Sequence, residues 1–99
     1  MNNHGLIHQH CVDARKRHWQ EHNKDTVVQI GDFCKIAFGK DKETEHMFVE
    51  VAAIDGKKYI GILANDPVIQ KHLNYGDTVS FVFSDIEQLI SDANRNTRL

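Results

Sequence analysis

The chain of 99 residues carries 12 Lys and Arg against 14 Asp and Glu, a formal charge of −2 at neutral pH, and its 40% apolar content is that of an ordinary globular domain. One modest core and a single domain over 1–99 follow, with the ends, 1–5 and 94–99, expected to be flexible. The charge balance speaks against a nucleic-acid footprint, the lack of a long apolar run against a membrane span, and the start MNNHGLIHQH against a secretory signal, so a cytoplasmic protein is expected.

Residues 6–24 read as a helix. At 100° per residue, Ile7, Cys11, Val12, Ala14 and Trp19 share one broad arc, and Gln9, Asp13, Lys16, Arg17, Gln20 and Lys24 fall opposite. Arg15, His18 and His22 lie within the apolar arc, at its rim or partly buried. The motif HWQEH puts His18 and His22 on one helical face beside Glu21, the spacing of a metal-binding pair. In a chain with seven histidines a chance match explains it without a metal. No metal and no cofactor are expected, and His18 with His22 is the alternative. Cys11 and Cys34 fall on apolar faces and read as inert, buried thiols.

A strand follows over 27–38, interrupted at Gly31-Asp32, and GKDKETE is a charged turn. EHMFVEVAAIDGKKYIGILAN then reads as a hairpin with Asp55-Gly56 as its two-residue loop. Pro67 closes the second strand, because proline cannot donate to a ladder. Asn74-Tyr75-Gly76-Asp77 is a turn, and TVSFVF a strand with Val79, Phe81 and Phe83 on one face. IGDFCKIAF and YGDTVSFVF echo each other as strands opening after Gly-Asp. Ser84 and Glu87 form a capping-box pattern ahead of Ile86, Leu89, Ile90 and Ala93, which predicts a short closing helix. The sum is an α+β fold: an N-terminal helix packed on a curved, mainly antiparallel sheet of about four to five strands, with a short C-terminal helix.

An Asp55-Gly56 loop fixes the hairpin register. One face pairs Val51 with Ile60, Val49 with Ile62 and Met47 with Ala64, and forms the core. The other pairs Ala52 with Tyr59, Glu50 with Gly61, Phe48 with Leu63 and His46 with Asn65. Gly61 leaves room above the backbone there, as where a ligand comes close. Two readings stand side by side. Either a helix covers this face and Glu50 pairs with Arg15 or His18, or the face is a shallow apolar groove anchored by Glu50 and rimmed by His46, Asn65 and Asp66. Asn65, Asp66 and Pro67 are explained as a turn first; Asp66 is also placed to cap the segment PVIQKHL that follows.

The stretches EHMFVEV, IDGKKYIGILANDPV, LNYGDTVSF and SDIEQL, in that order, resemble the YegJ-like family of small uncharacterised bacterial proteins, the domain of unknown function DUF2314. Ala14, Trp19 and Lys35 match further positions of the family pattern, and the likeness spans roughly residues 12–90. Phe48 and Leu89 stand where the family often has Trp. The resemblance implies the fold and a bacterial or phage setting. It implies no activity.

No nucleophile elbow, phosphate loop or dinucleotide fingerprint is present. The expected function is therefore a small binding module that engages a protein partner or a small molecule, and neither nucleic acid nor membrane, through His46, Phe48, Glu50, Tyr59, Leu63, Asn65 and Asp66. It is expected as a monomer or weak homodimer. The alternative is a minimal hydrolase or metal-assisted enzyme using Glu50 with His46, or His18 with His22.

Overall fold

The computed structural model describes residues 14–92. Among these, α1 spans Ala14–His22, and five strands follow: β1 Phe33–Phe38, β2 Glu45–Asp55, β3 Lys58–Leu63, β4 Thr78–Val82 and β5 Ile86–Ile90. Short 3-10 turns occupy Asp41–Glu43 and Phe83–Asp85. The strands form one open antiparallel sheet in the order β4-β3-β2-β1-β5. The expected helical positions Ile7, Cys11, Val12 and Asp13, and the chain ends, lie outside the described residues.

Two similar turns set up the sheet. Asp32 N–H donates to the Gln29 carbonyl at 3.1 Å, with Gly31 third in the turn at φ 98°. A positive φ at that position is the type II geometry, which glycine adopts without strain. Gly31 N–H then donates to Val51 O at 2.8 Å, while Val51 N–H donates to Asp32 O at 2.9 Å. Two residues oppose one, so the turn feeds β1 through a bulge that begins with glycine. Asn74 to Asp77 repeat the device against Leu63. Asp77 N–H reaches Asn74 O at 3.0 Å, Gly76 (φ 91°) donates to Leu63 O at 2.9 Å, and Leu63 donates to Asp77 O at 2.8 Å. Each Asp carboxylate also accepts from the first residue of its turn, Gln29 N or Asn74 N, at 2.9 Å. The echo in the sequence is thus a repeated hydrogen-bond pattern. One turn opens β1 beside β2, and the other opens β4 beside β3.

The hairpin corrects the expected register. Asp55 pairs with Lys58, so the loop is Gly56-Lys57, with positive φ at Gly56 alone. That is the II′ arrangement, which places glycine first. A bulge between Val51 and Ala53 then shifts the ladder, giving Val51 opposite Gly61 and Val49 opposite Leu63. Phe48 does not face Leu63, and Glu50 pairs with Ile62 rather than Gly61. Packing explains the choice. A Cβ on Gly61 would run into the Val49 side chain and lie 2.8 Å from the Glu50 carbonyl oxygen, so only glycine fits beneath Val49. The room above Gly61 is filled from inside and is not a ligand's space.

The core lies on one face of the sheet. Cys34, Ile36, Phe38, Met47, Val49, Val51, Leu63, Val79, Phe81 and Ile86 point into it, joined by Val28 and Leu73 from the flanking loops. Trp19 packs on this cluster, its ring 5.5 Å from that of Phe83. Gln20, expected among the outward polar residues, turns inward and donates to the carbonyls of Phe83 and Ile86, both at 2.8 Å. Those carbonyls lie where β4 gives way to β5, and a buried carbonyl requires a donor. The expected strand over 27–38 starts only at Phe33; Val27 and Ile30, 73% and 62% exposed, belong to the loop before it.

The expected C-terminal helix is replaced by β5, which pairs with β1. The capping-box pattern is overridden by the free edge of β1, whose N–H and C=O groups need partners. The β-branched Ile86 and Ile90 suit a strand. Asp85, not Ser84, closes the preceding turn by accepting from Val82 N–H at 2.9 Å. Ala93, the last residue of the expected helix, lies outside the described residues.

Candidate functional site

Alternation along β2 sends Met47, Val49 and Val51 into the core and His46, Phe48 and Glu50 to the opposite, outer face. Cross-strand pairing adds neighbours to that face. Lys35 stands opposite Phe48, Ala37 opposite His46, and Ile62 opposite Glu50. α1 and the inward residues of both flanking loops pack on the core face, so the outer face is not covered by them.

At one end of this face, His46 Nδ1 lies 2.7 Å and 3.0 Å from the two oxygens of Glu87. The partners sit on β2 and β5 with β1 between them. Ala37, opposite His46 and 3% exposed, is small enough for the imidazole to cross over it. Glu87 occupies the bulge where β5 slips against β1, and its side chain is 5% exposed against 31% for His46. A carboxylate that is nearly fully buried needs a hydrogen-bonding partner, and His46 provides it. The buried carboxylate in turn fixes the ring, leaving Nε2 turned away from it. Beside this pair, the Lys35 ammonium sits 5.9 Å from the centroid of the Phe48 ring, a cation–π contact.

Glu50 is different. It is half-buried between Ile62 and Phe33 on the neighbouring strands. Its carboxylate makes no hydrogen bond or ion pair among the described residues. The expected pairing with His18 does not occur, since His18 is exposed on α1 across the sheet; the expected contact with Arg15 falls on a side chain outside the described residues.

The other expected site residues separate from this group. Leu63 is fully buried in the core. Tyr59 packs on the core face with its ring 5.4 Å from that of Phe81. Asn65 extends the ladder: Ala64 N–H donates to Phe48 O at 2.9 Å, and the Asn65 side-chain oxygen accepts from Phe48 N–H at 2.6 Å. Asp66 is exposed and does not cap the segment after Pro67. That role belongs to Glu45, whose carboxylate accepts from Val68, Ile69 and Gln70 N–H at 2.7, 2.8 and 3.0 Å. Burial alone would push the Glu45 carboxyl up; the three N–H donors and the nearby Lys71 charge outweigh it and hold the group below the ordinary carboxylate range. Gln70 pins the same loop from below, donating to Glu43 O at 2.5 Å. The corner at Asn65-Asp66-Pro67 is therefore a structural junction.

Elsewhere the chemistry is sparse. Burial, aided by the Asp32 carboxylate, pushes the Cys34 thiol up to about 12, which keeps it unreactive. Cys11 lies outside the described residues. The His18 and His22 rings stack at 4.2 Å on the exposed side of α1. Among the described residues no three His, Cys, Asp or Glu side chains gather into a metal-binding group. Among the described residues, one cleft is lined by Lys40, Glu43, Ile69, Gln70 and His72, and another at the hairpin end by Lys57, Tyr59, Val82 and Phe83.

Sequence reasoning missed Glu87 and Lys35 as members of the outer face. The alternation in FCKIAF was a signal for Lys35. Glu87 was hidden by its helical reading.

No helix among the described residues is long and apolar enough to cross a membrane. No curated protein and no solved structure matches the chain. A family model for uncharacterised proteins conserved in bacteria, DUF2314, matches residues 8–97. The match covers nearly the whole length, and the chain belongs to that bacterial family.

Proposed function

We propose that this domain is a small binding module whose recognition surface is the outer face of the sheet, centred on Phe48 and Glu50 and flanked by His46, Lys35 and Ile62. The observation that carries the reading is the one-sided packing. α1 and the inward side chains of both loops all serve the core face, while β2 and its neighbours present outward an aromatic ring, isoleucine and a carboxylate without a partner among the described residues. Partly apolar sheet faces rimmed by polar groups are suited to association. A flat partner surface, such as that of a protein, suits the level face formed by adjacent strands. Asn65 and Tyr59 support the surface from its edge and from beneath.

The test is affinity capture from a bacterial lysate with three proteins: wild type, the folded double variant Phe48→Ala, Glu50→Ala, and a loop variant Val27→Ser, Ile30→Ser. A protein retained by wild type and by the loop variant but lost by the double variant supports the reading. A protein lost only by the loop variant places recognition elsewhere.

The His46–Glu87 pair favours a second reading, a minimal hydrolase. A buried carboxylate holding Nδ1 leaves Nε2 to take a proton from water attacking an ester. Glu87, rather than the expected Glu50, is then the partner of His46. Turnover of p-nitrophenyl acetate above background, abolished by His46→Ala, would support it.

A further inference from the structure

We infer that the partner of the outer face presents a basic side chain, arginine or lysine, to Glu50, with apolar atoms of the same segment lying on Ile62 and Phe48. This rests on the outer face being the recognition surface and names the chemistry that it recognises.

The charged groups of this face are unequally partnered among the described residues. Glu87 is matched by His46 at 2.7 Å, and Lys35 rests over the Phe48 ring. Glu50 alone has no hydrogen-bonding or ionic partner among the described residues, although it is half-buried between apolar neighbours. Among the described residues no donor reaches this carboxylate, so its partial loss of hydration goes uncompensated there. The deficit is removed when a cation arrives from outside. The arriving group gains a charge-assisted bond in a site that its own apolar stem helps to dry.

Geometry narrows the chemistry further. Glu50 and Ile62 are directly opposed on adjacent strands, and Phe48 is two residues from Glu50 on the same face. The stem of a long basic side chain can therefore lie on isoleucine and phenylalanine while its head reaches the carboxylate. A planar guanidinium can bond both carboxylate oxygens at once, so arginine is the better match. Lys35 opposite Phe48 makes a second basic group unwelcome on that side and an acidic one acceptable. The favoured segment thus carries a basic residue, apolar neighbours and an acidic residue toward β1. An acidic or purely apolar segment leaves Glu50 unpaired and is disfavoured.

The experiment is selection of a random twelve-residue peptide library displayed on phage against wild type, with Glu50→Gln as the comparison target. The fold of the variant is checked by its amide NMR spectrum, and binding is mapped by amide shifts at Phe48, Glu50 and Ile62. The expected result is enrichment of peptides with Arg or Lys beside apolar residues, which shift those amides and bind Glu50→Gln about tenfold more weakly or worse. On Glu50→Lys the selected charge should invert to Asp or Glu. Peptides that shift the same amides but lack a basic residue, or bind Glu50→Gln equally well, overturn the inference and leave the recognition face standing. A library in which no enriched peptide shifts those amides overturns both.

Discussion

Glu45 gives the sharpest quantitative test of the structure. Its carboxylate binds the three successive N–H groups of Val68, Ile69 and Gln70, and it ties the start of β2 to the loop after Pro67. Replacing it with glutamine keeps the shape, removes the charge and turns an NH2 group toward donors. A hydrogen bond to a charged group contributes about 1.5–3 kcal/mol when fully buried. Glu45 is half-exposed, so screening by solvent reduces the whole set to about 1–2 kcal/mol. In a domain of this size that lowers Tm by about 4–16 °C. The pH dependence follows from the sign of the shift. The folded carboxyl titrates below its unfolded value, near 4.3 for glutamate, so the unfolded chain takes up the proton first. The stabilisation is complete above about pH 4.5 and is lost as pH falls through the lower, folded value. Thermal unfolding followed by circular dichroism, for wild type and Glu45→Gln at about pH 7 and about pH 3, should show a gap in Tm that narrows in acid. A gap that stays constant or widens in acid, or none at about pH 7, refutes the assignment of the clamp to the ionised carboxylate.

Three further outcomes test the register and the turns. Leu63→Ala should destabilise by about 2–5 kcal/mol in urea unfolding, and Phe48→Ala by less than about 1.5 kcal/mol, because only Leu63 is fully buried; the reverse order would mean that the two faces are exchanged. Gly61→Ala should cost about 2–3 kcal/mol or prevent folding, read as loss of the cooperative transition, since its Cβ meets Val49 and the Glu50 carbonyl. Asp32→Ala should cost about 1–3 kcal/mol and Asp77→Ala less. Asp32 is 3% exposed and also accepts from Asp92 N–H, while Asp77 is more open; equal losses in chemical denaturation would contradict this difference.

The parts of the fold that could be read from the sequence were those written in local turn chemistry. Gly31-Asp32 and Gly76-Asp77 open β1 and β4 because a positive φ at glycine and an acceptor on aspartate are properties of the residues themselves. The strand character of residues 45–63 was also plain, from their alternation and β-branching. The register was not, because both Asp55-Gly56 and Gly56-Lys57 make acceptable two-residue loops. The decision came from the fit of Gly61 under Val49 and from a bulge at Ala52 that has no sequence signature. One residue of slip moved Tyr59 and Leu63 from the expected site into the core, while His46, Phe48 and Glu50, being on one strand, stayed together. β5 was illegible for a related reason. Ser84, Glu87 and the spacing of Ile86, Leu89 and Ile90 suit a helix locally, and only the unpaired edge of β1, far away in sequence, demands a strand. Glu87 was lost to the candidate site with it.

The pairing of β5 with β1 also bears on how the chain reaches this state. β2, β3 and β4 each pair with a strand close in sequence, whereas Phe33 meets Ile90 near the other end of the chain. Closing so long a loop is slow relative to forming local hairpins. Without β5, strands β1 to β4 make a four-stranded meander whose bare edge is FCKIAF. That edge, apolar apart from Lys35, is a template for the same strand in another nascent chain. Pairing with β5 covers that edge, and Lys35 is the one charge the strand carries to discourage pairing with another chain when the edge is open.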